Sequence, residues 1–255
     1  MKTLKFTGIL SVAAMLAMGG CTSSPDSDKA EVGEAQEVQE VASAASYAVN
    51  AEESSVTWVG TKPGGRHNGT FGIEDGSLSV EGDKIVGGKV AISLSDIKVE
   101  DLEGEDEQKL VGHLQSPDFF STEEYPGAEF VIVSTEPIGE GDDAEMENEG
   151  EEEEYKISNP THKITGNLTM RGNTKSITFP AKVDMSGDQI TARAKFNIDR
   201  TEWGVSYGDE SKAVDKAKDQ FIYNTVNVGF DIVADKGSNT SANMEMSEED
   251  NESAN

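Results

Sequence analysis

The sequence contains one cysteine, so no disulfide can form within a single chain. Basic residues are also scarce, since 21 lysines and arginines stand against 49 aspartates and glutamates and give a formal net charge of −28. Nucleic acid backbones and acidic lipid headgroups repel a protein of this charge. The composition therefore argues against nucleic acid as a partner and against electrostatic docking on an anionic membrane.

The residue patterns of catalytic sites are missing as well. The three histidines, His67, His113 and His162, are far apart, and none has the i, i+4 or Cys-x-x-Cys spacing of a metal site. No serine lies in a Gly-x-Ser-x-Gly elbow, so acyl-transfer chemistry has no support and an esterase-like activity ranks last. The sequence predicts no enzyme, no metal and no cofactor. For His67 and His113, a shared polar or metal site and separate structural hydrogen bonds both remain open.

Residues 1–20 have the pattern of a bacterial signal peptide. A basic start and a short apolar run over residues 9–18 lead to two glycines and then Cys21. The run is too short to remain as a transmembrane helix. A lone cysteine directly after small residues is typical of a lipoprotein cleavage site, so Cys21 is the predicted lipid anchor. An ordinary secretory signal with an incidental thiol is the alternative.

The predicted location is the cell envelope, with the membrane contacted through acylated Cys21. The second residue of the mature chain would be Thr22 rather than aspartate. By similarity to other lipoproteins, this favours the outer membrane, on its periplasmic or surface face.

Three further segments are too polar to bury a core. Residues 21–46 and 236–255 have almost no large apolar side chains and predict a disordered tether and a disordered acidic tail. Residues 139–154 are mostly glutamate and aspartate, which predicts a self-repelling surface insertion, with a low-affinity calcium site as the sharper alternative. One domain, residues 47–235, remains.

Period-two alternation of apolar residues runs through this domain and predicts strands with one face buried. Ile190, Ala192, Ala194, Phe196 and Ile198 show the pattern most fully. Short glycine-containing turns between such runs indicate antiparallel pairing. A sheet of about eight such strands must close into a barrel or fold into a sandwich to hide its edges. Alternation alone leaves both architectures open.

One helical segment interrupts the strands near residues 105–116. Leu110 and Leu114 are four residues apart and place an apolar stripe on one helix face. Pro117 predicts the end of the helix, because the residue before a proline avoids the α region. Phe119 and Phe120 follow immediately.

Four motifs in order resemble those of the YceI-like lipid-binding domains over roughly Tyr47 to Ala234. They are the segments Val56–Trp58 with His67–Phe71, His113–Phe130, Ile164–Lys175 and Phe196–Val205. The resemblance implies an all-β, eight-stranded antiparallel barrel of the lipocalin kind with its own topology. It also implies an isoprenoid or similar lipid along the barrel axis.

The resemblance assigns two sets of residues to the ligand. The apolar set, expected to line the pocket, is Trp58, Phe71, Leu114, Phe119, Phe120, Phe130, Leu168, Phe179, Phe196 and Trp203. The polar set, expected at the mouth beside a headgroup, is His67, Asn68, Arg171 and Arg200. For a generic β domain the aromatic residues would instead form a filled core.

The function predicted from the sequence is the binding and sequestration or transport of an isoprenoid or similar amphiphilic lipid in the envelope. The alternative is a structural or interaction module with a filled core, whose acidic insertion binds cations. The oligomeric state is left open, with a dimer as one option.

Overall fold

The computed structural model describes residues 24–39, 44–139, 154–214 and 220–237. The predicted signal peptide, Cys21, nearly all of the acidic insertion and all but the first two residues of the acidic tail lie outside these residues. No helix in the described ranges is long and apolar enough to cross a membrane.

In the described residues, ten strands and one α-helix follow one another along the chain. In order they are β1 (Glu31–Glu34), β2 (Ala45–Val49), β3 (Ser55–Lys62), β4 (Gly65–Glu81), β5 (Lys84–Val99), α1 (Gly104–Gln115), β6 (Gly127–Pro137), β7 (His162–Met170), β8 (Asn173–Ser186), β9 (Gln189–Asp199) and β10 (Thr225–Lys236). Two short 3₁₀ helices, Arg200–Trp203 and Glu210–Lys212, lie between β9 and β10.

Strands β3 to β10 form a closed antiparallel barrel. Each pairs with the next in sequence, and β10 pairs back onto β3, which removes the open edges of the sheet. β2 lies in line with β3. It pairs with the C-terminal ends of β4 and β10, beyond the residues that pair with β3. The predicted eight-stranded antiparallel barrel is confirmed, and a sandwich is excluded.

The barrel interior is the hydrophobic core. The alternating residues of β9 from Ile190 to Ile198 are all buried, as the sequence predicts. Turn chemistry sets the register of the neighbouring hairpin, since Arg171 and Gly172 join β7 to β8 with φ values of 49° and 72°. Positive φ at both positions is the geometry of a type I′ turn, whose twist matches that of paired strands.

Helix α1 covers one end of the barrel and confirms the helical segment predicted near 105–116. Its first turn carries Glu105, Asp106 and Glu107, which interact favourably with the positive end of the helix dipole. It ends at Gln115, two residues before Pro117, as predicted. Leu114 is the residue of α1 that is buried.

The predicted flexible tether is wrong for residues 24–39. Here β1 pairs with β8, and Ala30 is only 2% exposed. The barrel wall supplies hydrogen-bond partners that composition alone does not reveal, because the strands concerned lie more than a hundred residues away. We call residues 24–39 the N-terminal strap.

Candidate functional site

Two apolar cavities lie end to end inside the barrel. The deep cavity has a volume of about 90 Å³, and every residue that lines it is aliphatic or aromatic. The upper cavity, of about 150 Å³, lies between it and helix α1. Val56, Ile92, Leu168, Ile198 and Val228 line both cavities, so the two are adjacent along the barrel.

Aromatic rings make up much of the wall of the deep cavity. The ring of Phe179 lies 5.7 Å from that of Phe130 and 5.3 Å from that of Phe230, measured between centroids. The planes of the Phe179 and Phe230 rings are inclined at 75°, an edge-to-face arrangement. Tilted and edge-on contacts of this kind are the favourable arrangements of aromatic pairs. The rings therefore form a packed cluster that leaves a small space beside it.

The upper cavity is closed on one side by the loop after α1. The backbone N–H of Phe120 donates to the carbonyl of Leu114 (3.0 Å), which turns the Phe120 ring towards the barrel. There it meets Phe71 edge to face, with centroids 5.4 Å apart. Trp58 lies on the other side of Phe71, at 6.5 Å. The segment around Pro117 thus covers one end of the barrel with aromatic side chains.

A third cavity, of about 530 Å³, connects the upper cavity with the surface. We call it the mouth cavity. It shares Trp58, Leu114 and Phe119 with the upper cavity, and its outer side carries polar groups. Here the ring of His113 contacts the edge of Tyr207, with centroids 4.7 Å apart. The three cavities form one path that is apolar inside and polar at its opening.

His67, predicted at a polar mouth, does line the mouth cavity together with His113. Its Nδ1 is 2.8 Å from Oδ2 of Asp101, and the other carboxylate oxygen accepts from the backbone N–H of Asn68 (3.0 Å). Burial alone would raise the pKa of Asp101, but the bonds from Asn68 and His67 outweigh it and lower this pKa. The carboxylate therefore stays charged and orients the imidazole ring.

Asn68 and the two predicted arginines do not face the mouth cavity. Arg200 is only 5% exposed and donates to the carbonyls of Val205 (2.6 Å), Ile222 (3.1 Å) and Tyr223 (3.3 Å). Burial lowers the pKa of its guanidinium. Its side chain borders the upper cavity, but its donors hold the loop between β9 and β10.

Arg171 has a similar structural position. Its guanidinium donates to the carbonyls of Phe119, Gly204 (3.0 Å) and Pro117 (3.3 Å). It joins the loop after α1 to the loop after β9. Sequence motifs identify such arginines but do not show whether a ligand or a backbone carbonyl takes their hydrogen bonds.

Nine of the ten predicted pocket residues line the deep or the upper cavity: Trp58, Phe71, Leu114, Phe119, Phe120, Phe130, Leu168, Phe179 and Phe196. Trp203 does not line any of the three cavities. It is fully buried in the 3₁₀ helix beside β8, and its indole N–H donates to the carbonyl of Leu168 (3.0 Å). The ligand contacts of the nine remain a prediction.

Sequence reasoning did not assign Thr61, His113 or Tyr207 to the polar mouth, although it left a shared polar site of His67 and His113 open. His113 carried a signal, because it belongs to a family-like motif. Within the described ranges, the buried indole N–H of Trp58 and the hydroxyl of Thr61 have no hydrogen-bond partner. A buried polar group without a partner costs free energy, so such groups call for an explanation. Trp58 lies where the upper and mouth cavities meet.

The described part of the chain holds no group of three or more His, Cys, Asp or Glu side chains arranged as metal ligands. His67 and His113 each pair with a separate carboxylate, Asp101 and Asp118 respectively. The arrangement can hold a mostly apolar molecule with a polar end.

Comparison with known structures supports the fold. The structure of BcnA from Burkholderia cenocepacia has a TM-score of 0.52 at 19% identity, over 72% of this chain and 98% of that one. A polyisoprenoid binding domain from Saccharophagus degradans, described as implicated in plant cell wall breakdown, also has a TM-score of 0.52. It is 18% identical over 75% of this chain and 98% of its own. At these identities the likeness concerns the fold alone.

Sequence relatives point the same way. A UPF0312 protein of Pseudomonas putida is 29% identical over 136 residues, which is 52% of this chain and 59% of the relative. Protein YceI of Escherichia coli is 30% identical over 120 residues, 47% of this chain and 50% of that protein. This chain thus spans only a little over half the length of such relatives. The YceI-like domain, however, matches residues 47–234, which include all of the closed barrel except the last two residues of β10. The chain therefore belongs to the YceI-like domain family.

Proposed function

We propose that this domain binds an isoprenoid or a similar amphiphilic lipid in its barrel and sequesters or carries it in the cell envelope. The observation that carries the proposal is the continuous path of three cavities, apolar inside and polar at the opening. The Saccharophagus degradans neighbour, a polyisoprenoid binding domain by description, supports this choice of ligand. In this proposal the domain acts by binding and not by catalysis.

The energetics suit a ligand with an apolar chain. Each Å² of apolar surface removed from water contributes roughly 25 cal/mol, so a chain gains affinity with every group that enters. An apolar cavity of about 150 Å³ stays dry and admits a benzene-sized molecule. The upper cavity has this size and the deep one is smaller, so a longer chain requires side chains that line the two cavities to move.

The polar end of the ligand would stay in the mouth cavity. Its walls offer Tyr207 and His113 in edge contact, and they include Trp58, whose buried indole N–H has no hydrogen-bond partner among the described residues. A ring or small polar headgroup fits the larger volume of this cavity. The ligand is then held by its tail and oriented by its head.

A filled core with a structural or interaction role is the second candidate. The observation in its favour is the central packing of four phenylalanine rings, Phe130, Phe179, Phe196 and Phe230. Cation binding by the acidic insertion would belong to this candidate, but the insertion lies outside the described residues.

The deciding experiment is organic extraction of protein purified from envelope membranes, followed by mass spectrometry. Leu168→Trp projects a larger side chain into the space where the two interior cavities adjoin and should abolish the extracted lipid, whereas Thr169→Trp, on the outer face of the same strand, should keep it. Both variants are first checked for folding, because overpacking costs about 1–3 kcal/mol. Wild-type protein without extractable lipid would leave the filled core as the better account.

The proposal includes acylation of Cys21. Two acyl chains are needed for stable attachment, at about 0.8 kcal/mol per buried CH₂. Cys21→Ser should therefore move the protein from the membrane fraction into the soluble fraction. A membrane fraction that is unchanged in the variant would refute the anchor and leave the lipid-binding proposal standing.

A further inference from the structure

The eight barrel strands leave a slot in their own wall. β8 pairs with β9 over Lys182–Ser186, but its earlier part, Lys175–Thr178, pairs with β1. On the opposite side of the slot, the N–H of Asn197 in β9 donates to the carbonyl of Asp28 (2.7 Å). The N-terminal strap therefore lies between β8 and β9 and completes the wall where these strands separate.

The inner side of the strap faces the barrel interior. Val32 is directly opposite Ile177, and paired residues of adjacent strands point to the same face of a sheet. Ile177 lines the deep cavity, so Val32 points towards the same interior. Ala30, two residues earlier on the same face, is 2% exposed and belongs to the core. These two small apolar side chains separate the cavity region from solvent.

Buried amide side chains of the barrel hold the strap at points before and after β1. Asn167 accepts from the backbone N–H of Gln36 (2.9 Å) and donates to the carbonyl of the same residue (2.7 Å). Asn197 donates through its side chain to the carbonyl of Pro25 (2.7 Å). Both asparagines are buried, at 7% and 6% exposure. The slot therefore binds the strap through its extended backbone, as a sheet edge binds an added strand in β-augmentation.

This segment is attached more weakly than the rest of the wall. β1 has four residues, including Gly33, and its Glu31 and Glu34 are exposed, whereas β4 has seventeen residues. The strap also lies before residue 47, where the match to the YceI-like domain begins. Segments with few buried contacts open at low free energy, which makes the short strap a candidate for local opening.

We propose that the N-terminal strap is a lateral door to the barrel. Docked, it closes the slot between β8 and β9. Displaced, it opens a side entrance beside Ile177 and Phe196, through which the apolar chain of a lipid enters the deep cavity. The inference rests on the proposed lipid binding. It adds an entry route that is separate from the mouth cavity.

A disulfide across the slot tests the door directly. Glu31 and Thr178 are paired opposite each other and point outwards, so Glu31→Cys with Thr178→Cys can form a bond that locks the strap. Cys21→Ser in the same chain removes the only other thiol. The probe is a fluorescently labelled geranylgeraniol in phosphatidylcholine vesicles, and the observable is its rate of uptake.

The oxidised protein should take up the probe at least about tenfold more slowly than the same protein after reduction, because a locked state has no open population. Affinity at equilibrium should stay the same, since the lock changes the path and not the cavity. A complementary variant, Val32→Asp, places a charge on the inner face, weakens docking and should accelerate uptake. Gly33→Asp is its control, since a side chain there meets open space.

The outcomes separate the two proposals. Equal uptake rates in the oxidised and reduced forms would overturn the door, because entry would then occur elsewhere, while lipid binding would stand. No uptake in either form, with the barrel folded, would refute lipid binding and the door with it.

Discussion

The rings of Phe179 and Phe196 are stacked in the centre of the barrel, with centroids 4.3 Å apart and planes 6° from parallel. They belong to adjacent positions in the wall, on β8 and β9, and both side chains are almost fully buried. Both rings also border the deep cavity. The stack is thus part of the core and part of the pocket wall, and truncation can show which role dominates.

The first prediction concerns truncations along this wall. Phe196→Ala should cost about 3–5 kcal/mol in delipidated protein because it breaks the stack. Leu168→Ala should cost less than the roughly 2–5 kcal/mol of a packed site, because Leu168 borders both interior cavities. Ile190→Ala, at a buried position that borders neither cavity, is the control with a full core loss. Denaturant unfolding of the delipidated proteins gives the three values.

Lipid retention is measured on the same variants. Leu168→Ala should change the amount or type of lipid extracted, and Ile190→Ala should not. A loss at Leu168 as large as that at Ile190, with no extractable lipid in the wild type, would favour a filled structural core.

The barrel could be predicted from the sequence because its signals are local. The alternation from Ile190 to Ile198 sets which face is buried, and Leu110, Leu114 and Pro117 set the position and end of α1. Each of these signals depends on neighbours a few residues apart. The inward-facing aromatic residues follow from the same alternation, which is why most predicted pocket residues do border a cavity.

The N-terminal strap could not be predicted because its partners are distant in sequence. Gln36 is held by Asn167, 131 residues away, and Pro25 by Asn197, 172 residues away. A single strand with one large apolar residue, Val32, has no periodicity to detect. The positions of Arg171 and Arg200 could not be predicted for a related reason. Their hydrogen-bond acceptors are backbone carbonyls, such as that of Gly204, which no sequence motif reveals.

The second prediction concerns Arg171. Its guanidinium joins the carbonyls of Pro117 and Phe119, after α1, to that of Gly204. Arg171→Lys should destabilise the protein by about 1–3 kcal/mol, because a lysine cannot present a planar fork of donors to three carbonyls. Arg193→Lys is the control, since its pair with Asp231 is exposed and such pairs contribute about 0–1 kcal/mol.

Chemical denaturation measures both variants at one pH. Amide hydrogen exchange of residues 117–121 should also become faster in Arg171→Lys, because the loop loses hydrogen bonds from the guanidinium. Equal stability and equal exchange in the Arg171 and Arg193 variants would show that the hydrogen bonds of Arg171 are dispensable for stability.

The third prediction concerns the pH dependence contributed by Asp101. Its folded pKa lies below its ordinary value through bonds from Asn68 and His67. A carboxyl group with a lowered folded pKa contributes stability that is present above the unfolded pKa of about 3.9 and is lost as the pH falls through the folded pKa. The melting temperature of wild type should therefore exceed that of Asp101→Asn near neutral pH, and the gap should close in acid.

Melting curves between neutral pH and strong acid measure this gap. Asp188→Asn serves as the control, because its ion pair with Lys236 is exposed and should leave a small gap at every pH. A gap at Asp101 that is constant across the range would mean that its ionisation is not linked to folding.

The last prediction concerns Gly166, which makes room for the ring of Phe130. A Cβ at Gly166 would lie 2.3 Å from Cζ of Phe130 and 2.7 Å from the carbonyl oxygen of Val131. The Phe130 ring, which packs against Phe179 and borders the deep cavity, would then have to move. Gly166→Ala should therefore cost about 1–3 kcal/mol, as overpacking does, and should also reduce the lipid that the barrel retains.

The matched control is Gly87→Ala, where a Cβ would make an ordinary contact of 3.9 Å with Cβ of Ser79. This second alanine should change stability little and lipid retention not at all. Combining Gly166→Ala with Phe130→Leu should restore part of the lost stability, because the smaller side chain removes the clash with the ring, while the close approach to the Val131 carbonyl remains. If Gly166→Ala behaves like Gly87→Ala, the close approach of ring and backbone does not constrain the pocket.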